Sequence, residues 1–450
     1  MVGMRELLRT AAELAATYLD EAATRPVARP VTLADMVAAL GPTLPDDGTD
    51  PAQVLTDLAR DADRGLVLTN GGRYFGFVEG GVLPAALAAD WLTSTWDQNP
   101  GFFALSPAAA AAEEISRTWL CDLLGLPATC SAGFTTGAQL ANFAGLAAAR
   151  HHVLGEAGWD VEQRGLFGAP PVTVVVGRER HATIDRALRF LGIGRDQIVE
   201  VDTDSQGRML PNLLELTDGP TIVCTQAGNV NTGAFDPIGE VCDLASEKNA
   251  WVHVDGAFGL WAAASPSLRH LVAGVEKADS FATDGHKWLN VPYDCGIVLC
   301  ARPEAHRAAM RLSADYLVRD GERHGSDWTP ESSRRARGFA VYAALRSLGR
   351  RGVAELVDRS CAQARRVAAA LPPQCEVLND VVLNQVLVRV GDDDEQTRAV
   401  AAAIQRGGAT WFGTTTWRGK AAIRISVSDH ATGDTEIDVL IGAVREAVAA

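Results

Sequence analysis

The chain has 450 residues, of which 47% are hydrophobic and 22% are charged, a composition typical of a globular protein with two or three domains. Its net charge of −15 argues against nucleic acid or an anionic membrane surface as the main partner. Eight scattered cysteines, no hydrophobic leader and no apolar run of about 18 residues predict a soluble cytoplasmic protein with reduced thiols, no metal site and no membrane span.

The first 66 residues are predicted to form a helical arm. An alanine-rich amphipathic pattern predicts a helix over residues 5–23, and Pro26 and Pro30 follow its end. A second helix is expected to follow Asp50-Pro51 and to run to about Asp63. Two helices of this size cannot enclose a core alone, so we expect them to pack on the main body or on a partner.

Residues 67–325 are predicted to form a large α/β domain. A long helix is expected from Ser106-Pro107 to Leu124. From about residue 130, apolar β-branched runs alternate with helical stretches, which indicates a mainly parallel central sheet sandwiched by helices. The predicted strands are Val172–Val176, Ile198–Val201, Thr221–Thr225, Trp251–Asp255 and Gly296–Cys300. The predicted helices are Thr183–Leu191, Asn212–Leu216 and Pro237–Glu247, the last capped by Asp236.

Residues 326–450 are predicted to form a smaller α+β domain. The pattern predicts one helix over Gly338–Leu348 and another from Val353 to about Ala370. Strands are expected over Val386–Val390 and Ala422–Val427, and a terminal helix is expected to begin near Asp434.

The strongest chemical signal is the pair Lys287 and Asp255. Lys287 lies beside apolar residues, where a charged amine is costly to bury, and an unprotonated lysine amine can form a Schiff base with a carbonyl group. Asp255 closes the apolar run 251–254, so it is expected to end a buried strand. Pyridoxal phosphate requires such an amine and a carboxylate partner for its ring nitrogen. For either residue alone, a surface lysine or a turn aspartate is an adequate explanation.

Other candidate site residues follow predicted strands, whose carboxyl ends form the ligand-binding edge of an open parallel sheet. Thr135, Thr136 and Gly137 precede a helix and could bind a phosphate at its start, although a plain threonine cap explains them equally simply. His181 could stack on a flat heterocycle or transfer a proton, or could be a polar loop residue. Asn229 lies in a loop that could hold a phenolic oxygen or form an ordinary turn.

Together these residues resemble the pyridoxal-phosphate amino-acid decarboxylases of the aromatic-L-amino-acid and glutamate decarboxylase group. The resemblance extends from about residue 60 to the end and implies the aspartate-aminotransferase fold, fold type I of the pyridoxal-phosphate enzymes. It also implies a homodimer with the active site at the subunit interface. The matching segments are 73–77, 106–107, 134–137, the His181 loop, 227–237, 253–257, 278–288 and 333–335.

The resemblance implies a role for each site residue. Lys287 would carry the cofactor, Asp255 would keep its ring nitrogen protonated, and His181 and Ala257 would lie against its two faces. Thr135, Thr136, Gly137, Asp284 and His286 would be near its phosphate, and Asn229 near its phenolic oxygen. The candidate substrate-binding residues are Phe77, Glu79, Asn99, Phe102, His324 and Arg424, and residues 99–102 would reach the partner's pocket.

The chain departs from the family pattern at three places. Family members carry a tyrosine in the loop before the Ser-Arg-Arg segment, whereas residues 323–328 contain none and the nearest tyrosine is Tyr316. Asp284 stands where an asparagine is usual, which places an acid near the phosphate. Glu79 stands at the expected substrate entrance, where it could favour a cationic or hydrogen-bonding substrate group or could be a solvated rim residue.

The resemblance therefore predicts decarboxylation of an L-amino acid to its amine through Schiff-base and quinonoid intermediates. Without the loop tyrosine, either His324 or another group supplies the proton for the α carbon, or the quinonoid has another fate. Those other fates are oxidative, aldehyde-forming decarboxylation and carbon–carbon bond formation. A catalytically idle cofactor-binding protein is a further alternative.

Overall fold

The fold is described by a computed structural model that covers residues 3–216, 218–312 and 321–450. Its helices are, in chain order, α1 Met4–Asp20, α2 Leu33–Leu40, α3 Pro51–Ala62, α4 Pro84–Trp96, α5 Pro107–Leu124, α6 Ala138–Glu156, α7 Val161–Arg164, α8 Ala182–Phe190, α9 Ile238–Ser246, α10 Pro303–Met310, α11 Gly338–Ala370, α12 Asp394–Gly407 and α13 Asp434–Ala449. Within these ranges, no helix is long and apolar enough to cross a membrane.

The strands form two sheets. In chain order they are β1 Ser131–Thr135, β2 Thr173–Gly177, β3 Ile198–Val201, β4 Thr221–Gln226, β5 Trp251–Asp255, β6 Ser280–Asp284, β7 Gly296–Cys300, β8 Cys375–Val377, β9 Gln385–Val390, β10 Gly413–Trp417 and β11 Lys420–Ser426. The first seven form a sheet in the order β1-β7-β6-β5-β4-β2-β3, and the last four form an antiparallel sheet in the order β10-β11-β9-β8. The predicted α/β class with a small C-terminal α+β part is confirmed.

The large sheet is parallel except at β7, which runs antiparallel to both of its neighbours. The carboxyl ends of β1, β2, β4, β5 and β6 therefore lie at one edge of the sheet. Strands β4 to β7 are fully buried, because helices and loops cover both faces. This arrangement brings the loops that follow five strands to the same side of the molecule.

Most of the predicted elements are confirmed, including the start of the terminal helix at Asp434. The two helices expected after residue 338 are present as the two segments of α11, which are separated at Gly349, where a φ of 61° and a ψ of 178° are not helical. Glycine adopts this positive φ without the clash that a β-carbon would cause.

Two predictions about elements are wrong. Residues 212–216 do not form an α-helix; a single 3₁₀ turn spans Pro211–Leu213, because five residues make too few backbone hydrogen bonds for a stable helix. Asp236 does not cap α9, which begins at Ile238 after Pro237. Its carboxylate instead accepts hydrogen bonds from the backbone N–H groups of Met209 and Gln226, each at 2.7 Å, and burial raises its pKa to about 6.

The N-terminal part of the main body pairs with the small sheet. The backbone N–H of Phe75 donates to the Trp411 carbonyl oxygen at 2.7 Å, and the Phe75 carbonyl oxygen accepts from Ser426 N–H at 2.9 Å. Phe75 is fully buried among the apolar residues of the small sheet and of the helices that pack on it. These contacts bring residues 77–80, which follow directly, to the gap between the two sheets, beside the carboxyl edge of the large one.

Candidate active site

A cavity of about 440 Å³ lies at the carboxyl edge of the large sheet. Each parallel strand except β3 contributes to it through its last residue or through the loop that follows it. The wall is formed by Phe77, Val78, Gly137, Ala138, Gln139, His181, Thr183, Gln226, Gly228, Val230, Asp255, Ala257, Phe258, Asp284, His286, Lys287 and Arg424. The structure thus brings Lys287, Asp255 and His181 together, although they come from three separate loops and strand ends.

Lys287 follows β6 and lies in a tight turn that is closed by a backbone hydrogen bond. The N–H of Asn290 donates to the Lys287 carbonyl oxygen at 3.1 Å, and the next residues, Trp288 and Leu289, are 1% and 0% exposed. These buried side chains anchor the turn, so the Lys287 side chain is directed to the cavity. Its Nζ lies 2.9 Å from Oδ2 of Asp284, the last residue of β6.

Asp255 ends β5 in the centre of the sheet, in register with Gln226 on one side and Ala282 on the other. One carboxylate oxygen accepts a hydrogen bond from the Ala257 N–H at 3.3 Å. Burial raises the pKa of this carboxyl, and the positive charges available at His181 and Lys287 oppose that shift. A buried carboxylate in this position is a ready partner for a cationic N–H group of a ligand.

His181 follows β2 and precedes α8. Its Nδ1 lies 2.8 Å from the Thr183 hydroxyl and accepts from the Thr183 N–H at 3.3 Å, so the side chain caps the helix and is held in place. Although the residue remains partly open to solvent, burial of the ring lowers its pKa, an effect that the Asp255 carboxylate opposes. The ring is therefore held mainly neutral at neutral pH.

One end of the cavity is formed by the start of α6. A β-carbon at Gly137 would lie 3.3 Å from Cε1 of His286, so this glycine leaves room on the wall. The Ala138 N–H donates to Asp284 Oδ1 at 2.5 Å. His286 accepts from the Cys295 N–H at 3.1 Å through Nδ1, stacks on the Tyr293 ring at 4.1 Å between centroids, and has a pKa lowered by burial.

Arg424 and Phe77 lie next to each other in the cavity wall. The guanidinium carbon of Arg424 lies 6.0 Å from the centre of the Phe77 ring, and Nη1 donates to the Val230 carbonyl oxygen at 3.2 Å. Burial lowers the pKa of Arg424, and across the described parts of the chain no carboxylate lies within salt-bridge distance of it. Phe77 and Val78 have φ angles of 50° and 62°, a conformation that costs energy for a β-branched residue such as valine.

Several predicted site residues lie outside the cavity wall. Thr135 is fully buried and its hydroxyl donates to the Gly137 carbonyl oxygen at 3.1 Å, while Thr136 is exposed. Asn229 is 1% exposed; its side-chain N–H donates to the Glu179 carbonyl oxygen at 3.0 Å and its side-chain oxygen accepts backbone N–H groups of its own loop. Glu79 is partly buried nearby, and burial raises its pKa.

Asn99, Phe102 and His324 form a separate cluster. The Phe102 and His324 rings lie 5.9 Å apart, and the Asn99 side-chain amide donates to the Ser333 hydroxyl at 3.3 Å. His324 is 3% exposed and accepts from the Phe103 N–H at 3.4 Å. None of the three lines the cavity of their own chain. Tyr316, the nearest tyrosine to the loop, lies outside the described residues.

Some wall residues were not predicted as site residues from the sequence, chiefly Gln226, Thr183 and Phe258. Gln226 was detectable, since it directly follows the predicted strand Thr221–Thr225; in the structure it is the last residue of β4 and pairs with Asp255. Its side-chain N–H donates to the Glu179 carbonyl oxygen at 3.2 Å, which holds the amide beside the cavity. Phe258 was not detectable, because nothing in its local pattern distinguishes a wall residue from a core residue.

Comparison with known proteins identifies the family to which the chain belongs. A family model described as the pyridoxal-dependent decarboxylase conserved domain matches residues 34–390. An aromatic-L-amino-acid decarboxylase from Bacillus atrophaeus is 26% identical over 465 residues, covering 97% of this chain and 94% of that protein. The human acidic amino acid decarboxylase GADL1 is 28% identical over 333 residues, covering 71% of this chain and 63% of that protein.

Among solved structures, Oryza sativa TDC with PLP and tryptamine has the same fold. The TM-score is 0.92 at 22% identity, and the superposition covers 99% of this chain and 97% of that one. The extent of the family match confirms the resemblance inferred from the motifs. The chain belongs to the pyridoxal-dependent decarboxylase family and is a carboxy-lyase whose cofactor is pyridoxal phosphate.

Proposed function

We propose that the chain removes the α-carboxyl group of an L-amino acid as carbon dioxide and releases the corresponding amine. The convergence of Lys287, Asp255 and His181 on one cavity is the observation that supports this proposal most. An amine that can attack a carbonyl group, a buried carboxylate and an imidazole ring are the groups that this chemistry requires.

The cavity has groups that suit both the ring nitrogen and the phosphate of pyridoxal phosphate. Asp255 is a desolvated carboxylate that lacks a full cationic partner, so it would hold a proton on the ring nitrogen. The first N–H groups of α6 and the His286 imidazole would hold the phosphate, and Gly137 leaves the space for it. We further assign His181 and Ala257 to the two faces of the ring.

Bound pyridoxal phosphate supplies a protonated pyridine ring that accepts the electron pair left on the α carbon when carbon dioxide departs. Asp255 stabilises the positive charge of that ring from a position that excludes water. Lys287 provides the amine that holds the cofactor between turnovers and that the substrate amine replaces. The neutral imidazole of His181 is placed to accept or return a proton at the reacting end of the substrate.

Arg424 is the proposed anchor for a substrate carboxylate. Its charge is buried against the cavity and its nearest hydrogen-bond partner is a neutral carbonyl oxygen, that of Val230. A carboxylate would restore the counter-charge that the surroundings lack, through a charge-assisted pair of hydrogen bonds. Phe77, Phe258 and Val230 form apolar walls nearby and suit the side chain of the amino acid.

The source of the α-carbon proton separates two candidate outcomes. Residues 321–328 contain no tyrosine, and His324 lies in a cluster away from the cavity of its own chain. Simple decarboxylation then needs His324 from a second copy, or another donor. The second candidate function is oxidative decarboxylation, in which the amino acid, dioxygen and water give an aldehyde, carbon dioxide, ammonia and hydrogen peroxide. The absence of a tyrosine in residues 321–328 favours this outcome, because no proton has to be delivered to the α carbon.

We also propose a homodimer in which the helical arm, residues 1–66, crosses to a second copy, while residues 67–325 and 326–450 form the large and small domains. A largely apolar groove of about 710 Å³ lies between α1 and the main body, lined by Leu19, Leu87 and Trp91 among others. Apolar arm residues such as Leu8 and Leu33 are 49% and 81% exposed. A second copy would cover these surfaces and bring its residues 99–102 and His324 to the cavity.

The proposal is tested by absorption spectroscopy and product analysis together. Purified protein should be yellow, and Lys287→Ala should lose the absorption of the lysine-bound cofactor, whereas Lys277→Ala, which changes a lysine paired with Asp243 on the surface, should not. An amino-acid panel is then assayed for carbon dioxide, amine, ammonia and peroxide. Amine with carbon dioxide supports the leading proposal; aldehyde with ammonia and peroxide supports the second; no product from any amino acid contradicts both.

A further inference from the structure

Asp284 occupies the end of the cavity that the phosphate of the cofactor would use. Its carboxylate is 3% exposed, and three groups surround it. Oδ1 accepts from the Ala138 N–H at 2.5 Å and lies 3.5 Å from His286 Nε2, while Oδ2 lies 2.9 Å from Lys287 Nζ. The Asp284 carboxylate is therefore itself the anion bound at the start of α6.

The start of α6 is a favourable place for one negative charge. The helix has 19 residues, and its first N–H groups and its dipole present partial positive charge to the cavity. Asp284 satisfies that charge and also forms an ion pair with Lys287, so the cofactor-free site is close to neutral. A phosphate dianion that enters beside Asp284 would place two anions against the same few donors, next to the largely buried side chains of Asp284 and His286.

Two negative charges that share the same donors repel each other strongly when they are partly buried. A proton taken up from solvent would relieve the repulsion. His286 is the nearest imidazole to Asp284, at 3.5 Å, and it is neutral before the phosphate enters because burial lowers its pKa. It is therefore free to accept that proton when a second anion arrives. The other charged or titratable groups that face this corner of the cavity are Lys287, His181, Asp255, Tyr293 and Asp294.

We propose that Asp284 is an internal anion that competes with the phosphate group of the cofactor, so that cofactor binding takes up a proton and weakens as the pH rises. The inference goes beyond the proposed reaction, and it rests on the proposed position of the phosphate at the start of α6. It makes Asp284 a positioning residue that holds Lys287 until the cofactor arrives and that tunes how tightly the cofactor is retained.

The test compares cofactor-free wild-type protein with Asp284→Asn, which keeps an oxygen for the Ala138 N–H and removes only the charge. The ligands are pyridoxine 5′-phosphate and pyridoxine, which lack the aldehyde and so cannot bond to Lys287. Dissociation constants are measured by calorimetry between about pH 7 and about pH 9, above the second ionisation of a phosphate ester. Buffers of different ionisation enthalpy report proton uptake directly.

We expect the affinity of the wild type for pyridoxine 5′-phosphate to fall by up to about ten-fold per pH unit, as linkage requires for one proton taken up. Asp284→Asn should bind it about ten- to a hundred-fold more tightly at the upper pH and lose most of the pH dependence. Affinity for pyridoxine should change little. Asp294→Asn, which removes a nearby charge paired with Arg337 at 2.7 Å, should resemble the wild type.

Equal affinity and equal pH dependence in the wild type and Asp284→Asn would overturn the inference while leaving the proposed function intact. If wild-type protein supplied with pyridoxal phosphate shows no absorption of a lysine-bound cofactor, the proposed function is overturned instead. If Asp284→Asn does not fold by circular dichroism, the wild type decides alone: a phosphate group that strengthens binding equally at both ends of the pH range, with no proton uptake, contradicts the competition.

Discussion

Gly80 packs against the backbone of Lys287 so closely that a β-carbon added to Gly80 would lie 1.5 Å from the Lys287 carbonyl oxygen. The same atom would lie 3.0 Å from the side-chain nitrogen of Asn290, which donates to that carbonyl oxygen at 3.3 Å. The φ angle of Gly80 is not in the positive region, so the glycine is required for space and not for backbone freedom. The segment at residues 77–80 and the Lys287 turn therefore hold each other in position.

Gly80→Ala is expected to displace the Lys287 turn and to destabilise the protein by about 1–3 kcal/mol, because the backbone must move to accept the methyl group. Urea unfolding measures the stability, and the absorption of the lysine-bound cofactor measures the site. Gly442→Ala in α13 is the control: its added β-carbon meets nothing within 4 Å, and it should gain about 0.5–1 kcal/mol. An unchanged midpoint and spectrum in Gly80→Ala would contradict the packing.

Glu113→Gln is expected to cost about 3–5 kcal/mol of unfolding free energy, because it leaves the buried charge of Arg334 without a full partner. The two side chains are each 1% exposed and form two hydrogen bonds of 2.6 and 3.0 Å. Glu114→Gln, at a neighbouring residue whose side chain is 47% exposed, should cost less than about 1 kcal/mol. Comparable losses in both variants, measured by urea unfolding, would argue against the buried pair.

Stability is expected to fall in acid through His253. This residue is fully buried, its ring nitrogens lie 2.8 Å from the Ser280 hydroxyl and the Asn142 side-chain oxygen, and burial lowers its pKa from 6.5 to about 3. Because the folded pKa is below the unfolded one, its contribution is complete above about pH 6.5 and is lost as the pH falls towards about 3.

The slope for one such proton is about 1.4 kcal/mol per pH unit, and His306, with its pKa lowered by burial to about 4, acts in the same direction. His253→Gln should be less stable at neutral pH but should lose less stability between about pH 6 and about pH 4. Unfolding in urea at each pH measures this. The exposed His270→Gln should keep the slope of the wild type, and an identical slope in His253→Gln would rule out its titration as a cause.

Arg424→Gln is expected to raise KM for the amino acid by about ten- to a hundred-fold, since it removes a charged hydrogen-bond donor from a buried site. The absorption of the lysine-bound cofactor should persist, because the guanidinium donates to the Val230 carbonyl oxygen and Arg424 is not among the residues proposed to hold the cofactor. Arg418→Gln, at an exposed residue close in sequence, is the matched control. A loss of cofactor absorption with unchanged KM would place Arg424 in cofactor binding instead.

Two of the predicted strands that the structure confirms share one property. Trp251–Asp255 and Gly296–Cys300 are buried on both faces, so their sequences are almost continuously apolar and could be recognised locally. Strands β1 and β6 are equally buried but contain serine, glycine, threonine and aspartate, and no periodic pattern revealed them. Their backbone groups form hydrogen bonds with β7, a pairing that the local sequence does not indicate.

By itself the sequence determined the chemistry that this chain carries: Lys287, Asp255 and the motifs around them indicated the family and its cofactor, because those residue types at strand ends are required by the reaction. Only the tertiary structure decided which residues meet. The contact of Asp284 with the Ala138 N–H joins residues 146 positions apart, and the approach of Gly80 to Lys287 joins two segments that are about 200 positions apart. Such distances arise from strand order and packing, which local pattern and spacing do not encode.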